Sequence, residues 1–347
     1  MGHTTRIIPL VRELMAMNHT VIFAGDHWQT ELAKKELPGI DTLYFPGFSI
    51  KYSRFLPQYI AILLHSPLFL YHAVREHILL GKIIRENKID IVISDSRTGL
   101  WNKKIKSVLI THMIRIPLPA PFRFLENLSL PFSRALIKKF TYCFIPDFPG
   151  PLNLSGGLSH GFSLPPGTIY TGILSRFSGY RTDCEREKDI FCTAIMSGPS
   201  PQKEILTSLT LAALKKSGEP SVILTGNYPG ESLVKKENNI QIISNLTGDE
   251  IIKYLERSKM IISRSGYTTV MELFSIGKSA LLIPTPGQAE QEYLARYLSE
   301  KRWFPYLRQK HLRKYGSLNL HKFTLPEFPW EENRQLLKAA LSRLLED

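Results

Sequence analysis

Apolar runs of strand length alternate with helix-patterned segments along nearly the whole chain, and this alternation restricts the possible folds more than any other feature of the sequence. In the first half the runs are Thr20–Gly25, Asp41–Phe45, Ile89–Ser94, Lys106–Thr111 and Thr141–Pro146. In the second half they are Ile190–Met196, Pro220–Thr225, Ile240–Ser244, Lys259–Ser263 and Ser279–Pro284. Strands that alternate with helices build a parallel sheet covered on both faces. The expected class is therefore α/β, as two Rossmann-like doubly wound domains facing across a cleft. A length of 347 residues accommodates two such domains. Between the halves, Asp147–Gly179 is rich in Pro, Gly and Ser, with Leu152-Asn153-Leu154-Ser155-Gly156-Gly157 as a strong turn signal. The predicted domains are 1–170 and 171–325, followed by a terminal piece, 326–347. In that piece Trp330–Glu346 reads as an amphipathic helix able to pack back on the first domain. Open α/β sheets bind ligands beyond the carboxyl ends of their strands, which puts the expected site in the cleft.

Composition narrows the class further. Lys and Arg number 44 against 31 Asp and Glu, a net charge of +13, while 43% of residues are hydrophobic and 22% charged. Such a chain folds, and its positive surplus suits nucleic acid, anionic headgroups or a phosphorylated substrate. Three cysteines are too few for a disulfide scaffold, so a reducing, cytoplasmic compartment is expected. No secretory leader opens the sequence, and the most lipid-like stretch, Tyr59–Tyr71, is interrupted by His65, Ser66 and Pro67, well short of a bilayer span. The ten histidines lack HxH and HxxxH spacing and no CxxC occurs, so no metal is expected. Walker and G-x-S-x-G motifs are also missing.

Three strand-to-helix turns in the second half carry the chemical signal. The first is Ser263-Arg264-Ser265-Gly266-Tyr267-Thr268, with Glu272 further along the helix. Its helix N-terminus suits a phosphate, and the Glu272 carboxylate can accept from paired hydroxyls such as those of a ribose. The second is Met196-Ser197-Gly198-Pro199-Ser200-Pro201-Gln202, where Gly198 permits close backbone approach and Ser197 and Ser200 can cap or bind oxyanions. The third is Pro284-Thr285-Pro286-Gly287-Gln288 with Glu290 and Gln291, a cluster of the kind that reads sugar hydroxyls. Each turn alone also fits ordinary helix capping. Their repetition at one sheet edge is the argument for function.

Together these residues resemble the donor half of GT-B type glycosyltransferases, and in particular the family that adds N-acetylglucosamine from UDP to lipid-linked muramoyl-pentapeptide. The resemblance is specific over Arg176–Ala295 and loose before it. It implies that Glu272 holds the ribose and that Gln288, Glu290 and Gln291 touch the donor sugar. It further implies that Arg176, Ser197, Gly198, Gln202, Arg264, Ser265, Gly266 and Thr268 surround the diphosphate, and that the backbone near Leu246 reads the base. Gly2-His3 resembles the end of that family's glycine-rich amino-terminal turn, which puts His3 at the acceptor hydroxyl as a base. His112, after Lys106–Thr111, is the second candidate for that role. In the family a strand and a glycine turn precede this Gly-His; here Met1 alone does, so either the amino-terminal domain lacks its first strand or, as the favoured reading, a form extended by roughly fifteen residues is the active one. Asp95 reads either as a cleft residue or as the cap of a short helix over Thr98–Lys103.

The functional expectation is an inverting, metal-independent transfer of a hexosamine-type sugar from a UDP-sugar to an acceptor hydroxyl, lipid-linked or of an envelope glycan. No cofactor is needed besides the donor. The alternatives are a UDP-sugar 2-epimerase of the same architecture and a non-catalytic UDP-sugar binder. Aromatic and basic residues mixed over Pro57–Tyr71 and Arg115–Lys139 suit peripheral contact with anionic membrane at its cytoplasmic face. Nucleic acid is not expected, because an aromatic-basic RNA signature is missing.

Overall fold

The computed structural model describes residues 2–47, 58–180, 187–226, 233–312 and 322–346. The first part of the chain runs α1 (Gly2–Ala16), β1 (Ile22–Gly25), α2 (His27–Glu36), β2 (Asp41–Tyr44), α3 (Gln58–Asn87), β3 (Ile91–Asp95), β4 (Lys106–Ile110), α4 (Ser129–Ile137), β5 (Tyr142–Ile145) and β6 (Thr168–Tyr170). It continues with β7 (Ile190–Met196), α5 (Gln202–Ser217), β8 (Ser221–Thr225), β9 (Val234–Glu237), β10 (Ile240–Ser244), α6 (Gly248–Glu256), β11 (Ser258–Ser263), α7 (Tyr267–Ser275), β12 (Leu281–Leu282), α8 (Ala289–Glu300) and α9 (Trp330–Glu346). Every apolar run read as a strand overlaps one, with β3 reaching one residue further, to Asp95, and β11 starting one residue earlier, at Ser258. The sequence reading missed β6, which is three residues long, and β9, whose Val-Lys-Lys-Glu is largely exposed and has no apolar alternation.

Two compact units form, and they are not consecutive in sequence. One joins Met1–Phe45 to Ser175–Phe328; the other joins Tyr59–Leu174 to Pro329–Asp347. The first 45 residues, read from sequence as part of an amino-terminal domain, thus pack with the carboxyl-terminal lobe. Sheet pairing gives the reason. Strands β1 and β2 pair only with each other, and no described strand links them to β3, so the apolar side of their two-stranded piece is covered from α1 and α2. Ile8, Val11, Phe23, Ala33, Leu37 and Ile40 form that small core. Asp26 closes a complete capping box with Gln29 at the start of α2.

In the same unit six strands lie in the order β12-β11-β7-β8-β10-β9, parallel except for the antiparallel β9. Alternate side chains of the central strands face opposite layers. Cys192, Ala194, Met196, Ile223 and Ile262 pack with Leu206 and Leu214 of α5. Ile190, Val222, Leu224 and Ile243 face Ile251 and Tyr254 of α6.

The second unit is a four-stranded parallel sheet, β3-β4-β5-β6. Leu109, Ile114, Leu130, Ile137, Phe140, Cys143 and Ile145 form its core. Helix α9 belongs to this unit. Its buried Asn333 accepts from Ile173 N and donates to Ile173 O, and Lys106 Nζ donates to Leu344 O at 2.8 Å. The helix expected over Thr98–Lys103 does not form. Ser94 Oγ donates to Arg97 O at 2.7 Å and Ser96 adopts a φ of 59°, which turns the chain before a helix can start. Among the described residues no helix is long and apolar enough to cross a membrane.

Candidate functional site

At the carboxyl edge of the six-stranded sheet, α5, α7 and α8 begin directly after β7, β11 and β12. A helix start leaves its first N–H groups without intrahelical partners, and a side-chain cap ordinarily takes one of them. None of these three starts has a side-chain cap: the cap positions are Pro201, Gly266 and Gln288, and none makes a capping hydrogen bond. Helices α2 and α6 of the same unit, by contrast, carry complete capping boxes. Ser197 and Ser200, expected as possible caps, do not cap α5, and Ser200 Oγ instead donates to Glu204 Oε1 at 2.8 Å. Space remains at the two glycines. A Cβ built on Gly198 or Gly266 meets nothing within 4 Å, and Gly198 holds a φ of 106° that only glycine adopts without strain.

One arginine ties the three turns together. Arg264 follows β11, is 1% exposed, and donates through Nη1 to Ile283 O at 3.2 Å and through Nη2 to Gln202 O at 2.8 Å. It therefore spans from its own turn to the end of β12 and the first residue of α5. Burial pulls the Arg264 guanidinium down to about 10. In this structure its donors are directed to backbone carbonyls. Ser265 Oγ donates to Gln291 O at 2.8 Å, and Gln291 Oε1 accepts from Thr285 N at 2.8 Å, which fastens the third turn. Gln291 is buried, whereas Gln288, Glu290 and Thr268 are only partly covered. Leu246 lies past the end of β10, packed on Ile190, Val222, Leu224 and Ile243.

Arg176 and Glu272 sit against each other. Arg176 Nε lies 2.8 Å from Glu272 Oε1 and Nη1 lies 3.3 Å from Glu36 Oε1. Thr5 also hydrogen-bonds the Glu272 carboxyl. Burial nevertheless raises that carboxyl above its ordinary value, with a small contribution from Glu36; Arg176 and Thr5 oppose the shift without reversing it. The sequence reading did not find Glu36. Its Oε1 also accepts from Gly248 N at 2.9 Å in the first turn of α6, and Arg12 reaches its Oε2 at 3.6 Å. Nothing local marks Glu36, the last residue of an amphipathic helix, because its distant partners, Arg176 and Gly248, lie 140 and 212 positions away in sequence.

His112 follows β4 in the second unit and is 7% exposed. His3 is the second residue of α1, and its side chain lies outside the described residues.

Comparison with known proteins agrees with this geometry. Residues 195–324 match the glycosyltransferase family 28 C-terminal domain, a segment that contains all three uncapped helix starts. An uncharacterized glycosyltransferase of Methanosarcina mazei is 25% identical, with 87% of this chain and 81% of that protein covered. A UDP-N-acetylglucosamine–N-acetylmuramyl-(pentapeptide) pyrophosphoryl-undecaprenol N-acetylglucosamine transferase of Nitrobacter hamburgensis is 28% identical over 29% of this chain and 30% of its own length. Among solved structures, a spinosyn rhamnosyltransferase complexed with thymidine diphosphate superposes with a TM-score of 0.61 at 14% identity, covering 100% of this chain and 97% of that one. The glycotransferase of kitacinnamycin gives 0.59 at 14% identity, over 99% and 95% of the two chains.

Proposed function

We propose that this chain, a glycosyltransferase of the GT-B fold resembling the family that adds N-acetylglucosamine to lipid-linked muramoyl-pentapeptide, moves a hexosamine-type sugar from a UDP-sugar to an acceptor hydroxyl. The observation that supports the donor is the set of three uncapped helix starts at one sheet edge, within the segment that matches the family 28 domain. Aligned helix dipoles at starts that no side chain caps stabilise a diphosphate most when its charge grows, as it does while the sugar departs.

In the proposed reaction the acceptor oxygen forms a bond to the anomeric carbon from the face opposite the diphosphate. The bond from that carbon to the phosphate oxygen breaks and UDP leaves with the electron pair, so the configuration inverts. The acceptor proton passes to a histidine, for which His3 and His112 are the candidates. Glu272 holds the ribose after releasing Arg176, which then turns toward the diphosphate. Gln288, Glu290 and Gln291 read the sugar, and no metal or cofactor takes part. Exposed Phe124, Leu128 and Phe132, with Arg123 and Lys138 nearby in sequence, support peripheral contact with an anionic membrane surface.

UDP release from a panel of UDP-sugars, with and without membrane lipid extract, tests this reading, with UDP-N-acetylglucosamine expected as the best donor. Gly266→Val keeps an allowed backbone, since Gly266 has φ −70° and ψ 135°, but fills the space above α7. It should raise donor KM about tenfold, roughly the effect of losing one charge-assisted hydrogen bond, with an unchanged Tm. An unaltered KM would remove the diphosphate from this edge.

A further inference from the structure

The last turn of α2 is fastened to the loop between β10 and α6 at two neighbouring residues. Lys35 Nζ donates to Asn245 O at 2.8 Å, and Gly248 N donates to Glu36 Oε1 at 2.9 Å. Helix α6 already has its own capping box from Thr247 and Glu250, so Glu36 is an additional acceptor at that helix start and not its cap. The positive end of the helix dipole favours a carboxylate there. Arg12 adds a cation, with Nη2 3.6 Å from Glu36 Oε2. It also braces the two segments, donating to Arg176 O at 3.1 Å and to Glu36 O at 3.3 Å.

Arg176 is held at the same point. Its Nη1 lies 3.3 Å from Glu36 Oε1, and its guanidinium carbon lies 5.1 Å from the centre of the Phe177 ring. A Cβ built on Gly248 would meet Phe177 Cε1 at 3.3 Å, Arg176 Cδ at 3.5 Å and Glu36 Oε1 at 3.6 Å, so all three pack closely on one glycine. One guanidinium thus serves two buried carboxylates, since Glu272 Oε1 is 2.8 Å from its Nε. The side chains of Glu36, Arg176 and Glu272 are only 6%, 10% and 9% exposed, so these attractions are little screened by salt.

The two carboxylates differ in what they keep once the arginine leaves. Glu36 retains the Gly248 amide, the α6 dipole and Arg12. Glu272 retains Thr5 and gains, on the donor reading, the ribose hydroxyls. Glu36 can therefore release Arg176 without becoming an uncompensated buried charge. It cannot follow the arginine, because the Lys35 and Gly248 bonds pin its turn. We propose that Glu36 is a positioning residue that holds Arg176 back from the diphosphate, so that UDP binds only by competing with this carboxylate for the guanidinium. The inference rests on the donor reading and adds to it the group that sets how tightly the nucleotide is held. The apparent affinity is then the intrinsic one scaled by the fraction of chains in which Arg176 is free.

The test is calorimetric titration of the full chain with UDP, and with uridine by displacement of UDP. Glu36→Gln keeps an acceptor for Gly248 N but loses the charge that attracts Arg176. It should tighten UDP binding about tenfold and leave uridine unchanged, since uridine has no diphosphate to take the arginine. Arg12→Gln removes the other cation from Glu36, strengthens its hold on Arg176 and should weaken UDP binding. The Arg12 side chain is 44% exposed, so this arm decides the question even if Glu36→Gln fails to fold. Both effects should disappear in an Arg176→Gln background. Effects that persist in that background would show diffuse electrostatics, and parallel losses for UDP and uridine would show a loosened fold; either result overturns the proposal. Absent UDP heat in wild type and in every variant would sink the donor reading and this inference with it. UDP heat that is indifferent to Glu36 and Arg12 would sink this inference alone.

Discussion

At the scale of single residues, the chain uses buried charge in two different ways. Arg264 is spent on carbonyls and holds the three turns in register, while Arg176 and Glu272 are spent on each other. The Glu272 carboxyl is held above its ordinary value of 4.5 by burial. Between the unfolded value and the raised folded one, the folded chain keeps a proton there that the unfolded chain has released. This contribution to stability is complete below the unfolded value and is lost as pH rises through the folded one. Glu272→Gln removes the titration, so thermal melts across pH should show a smaller fall in Tm above pH 4.5 for the variant than for wild type. Parallel curves would assign the pH dependence to another group. The glycines, serines and Glu272 of this edge were readable because each sits beside a strand end in its own sequence. Glu36 and Thr5 were not, since they reach Arg176 and Glu272 only through tertiary contact.

Among the elements, the most exacting joint described is that of α9. Gly172 has a φ of 70°, and a Cβ there would lie 2.5 Å from Asn333 Oδ1, so the helix approaches the chain where only glycine leaves room. Asn333 then satisfies both backbone groups of Ile173, as a neighbouring strand would. Gly172→Ala introduces backbone strain and displaces that pair, at a cost of about 3 kcal/mol. Hydrogen exchange should report it as faster exchange confined to 330–346 and to Ile173. Uniform change over the whole second unit would mean that the helix is not docked through this joint. The helix itself was clear from its apolar stripe, and its start and end agree with the sequence reading. Its anchor was not, because a buried Asn in a helix has no periodic signature.

For the whole molecule, the division into units and the location of the nucleotide are separate questions. If UDP binds at the three turns as proposed, it stabilises the amides around it by mass action, so at a hundred times its Kd their exchange should slow by roughly a hundredfold. The protection should cover 196–202, 263–272 and 284–291 and spare β3 to β6; equal protection of both units would put UDP elsewhere. Strand alternation, helix periods and turn residues are local properties, set by steric and burial preferences over a few neighbours, and so the α/β class, ten of the strands, α9 and the three-turn edge were all determined by the sequence alone. Which segment shares a unit with which depends on partners far apart in the chain. Only the tertiary structure decided that 1–45 packs with Ser175–Phe328 and that Arg264 fastens the turns. The physical reason is that a charge or an apolar face declares its chemistry in sequence, whereas the group that neutralises or covers it is chosen by packing.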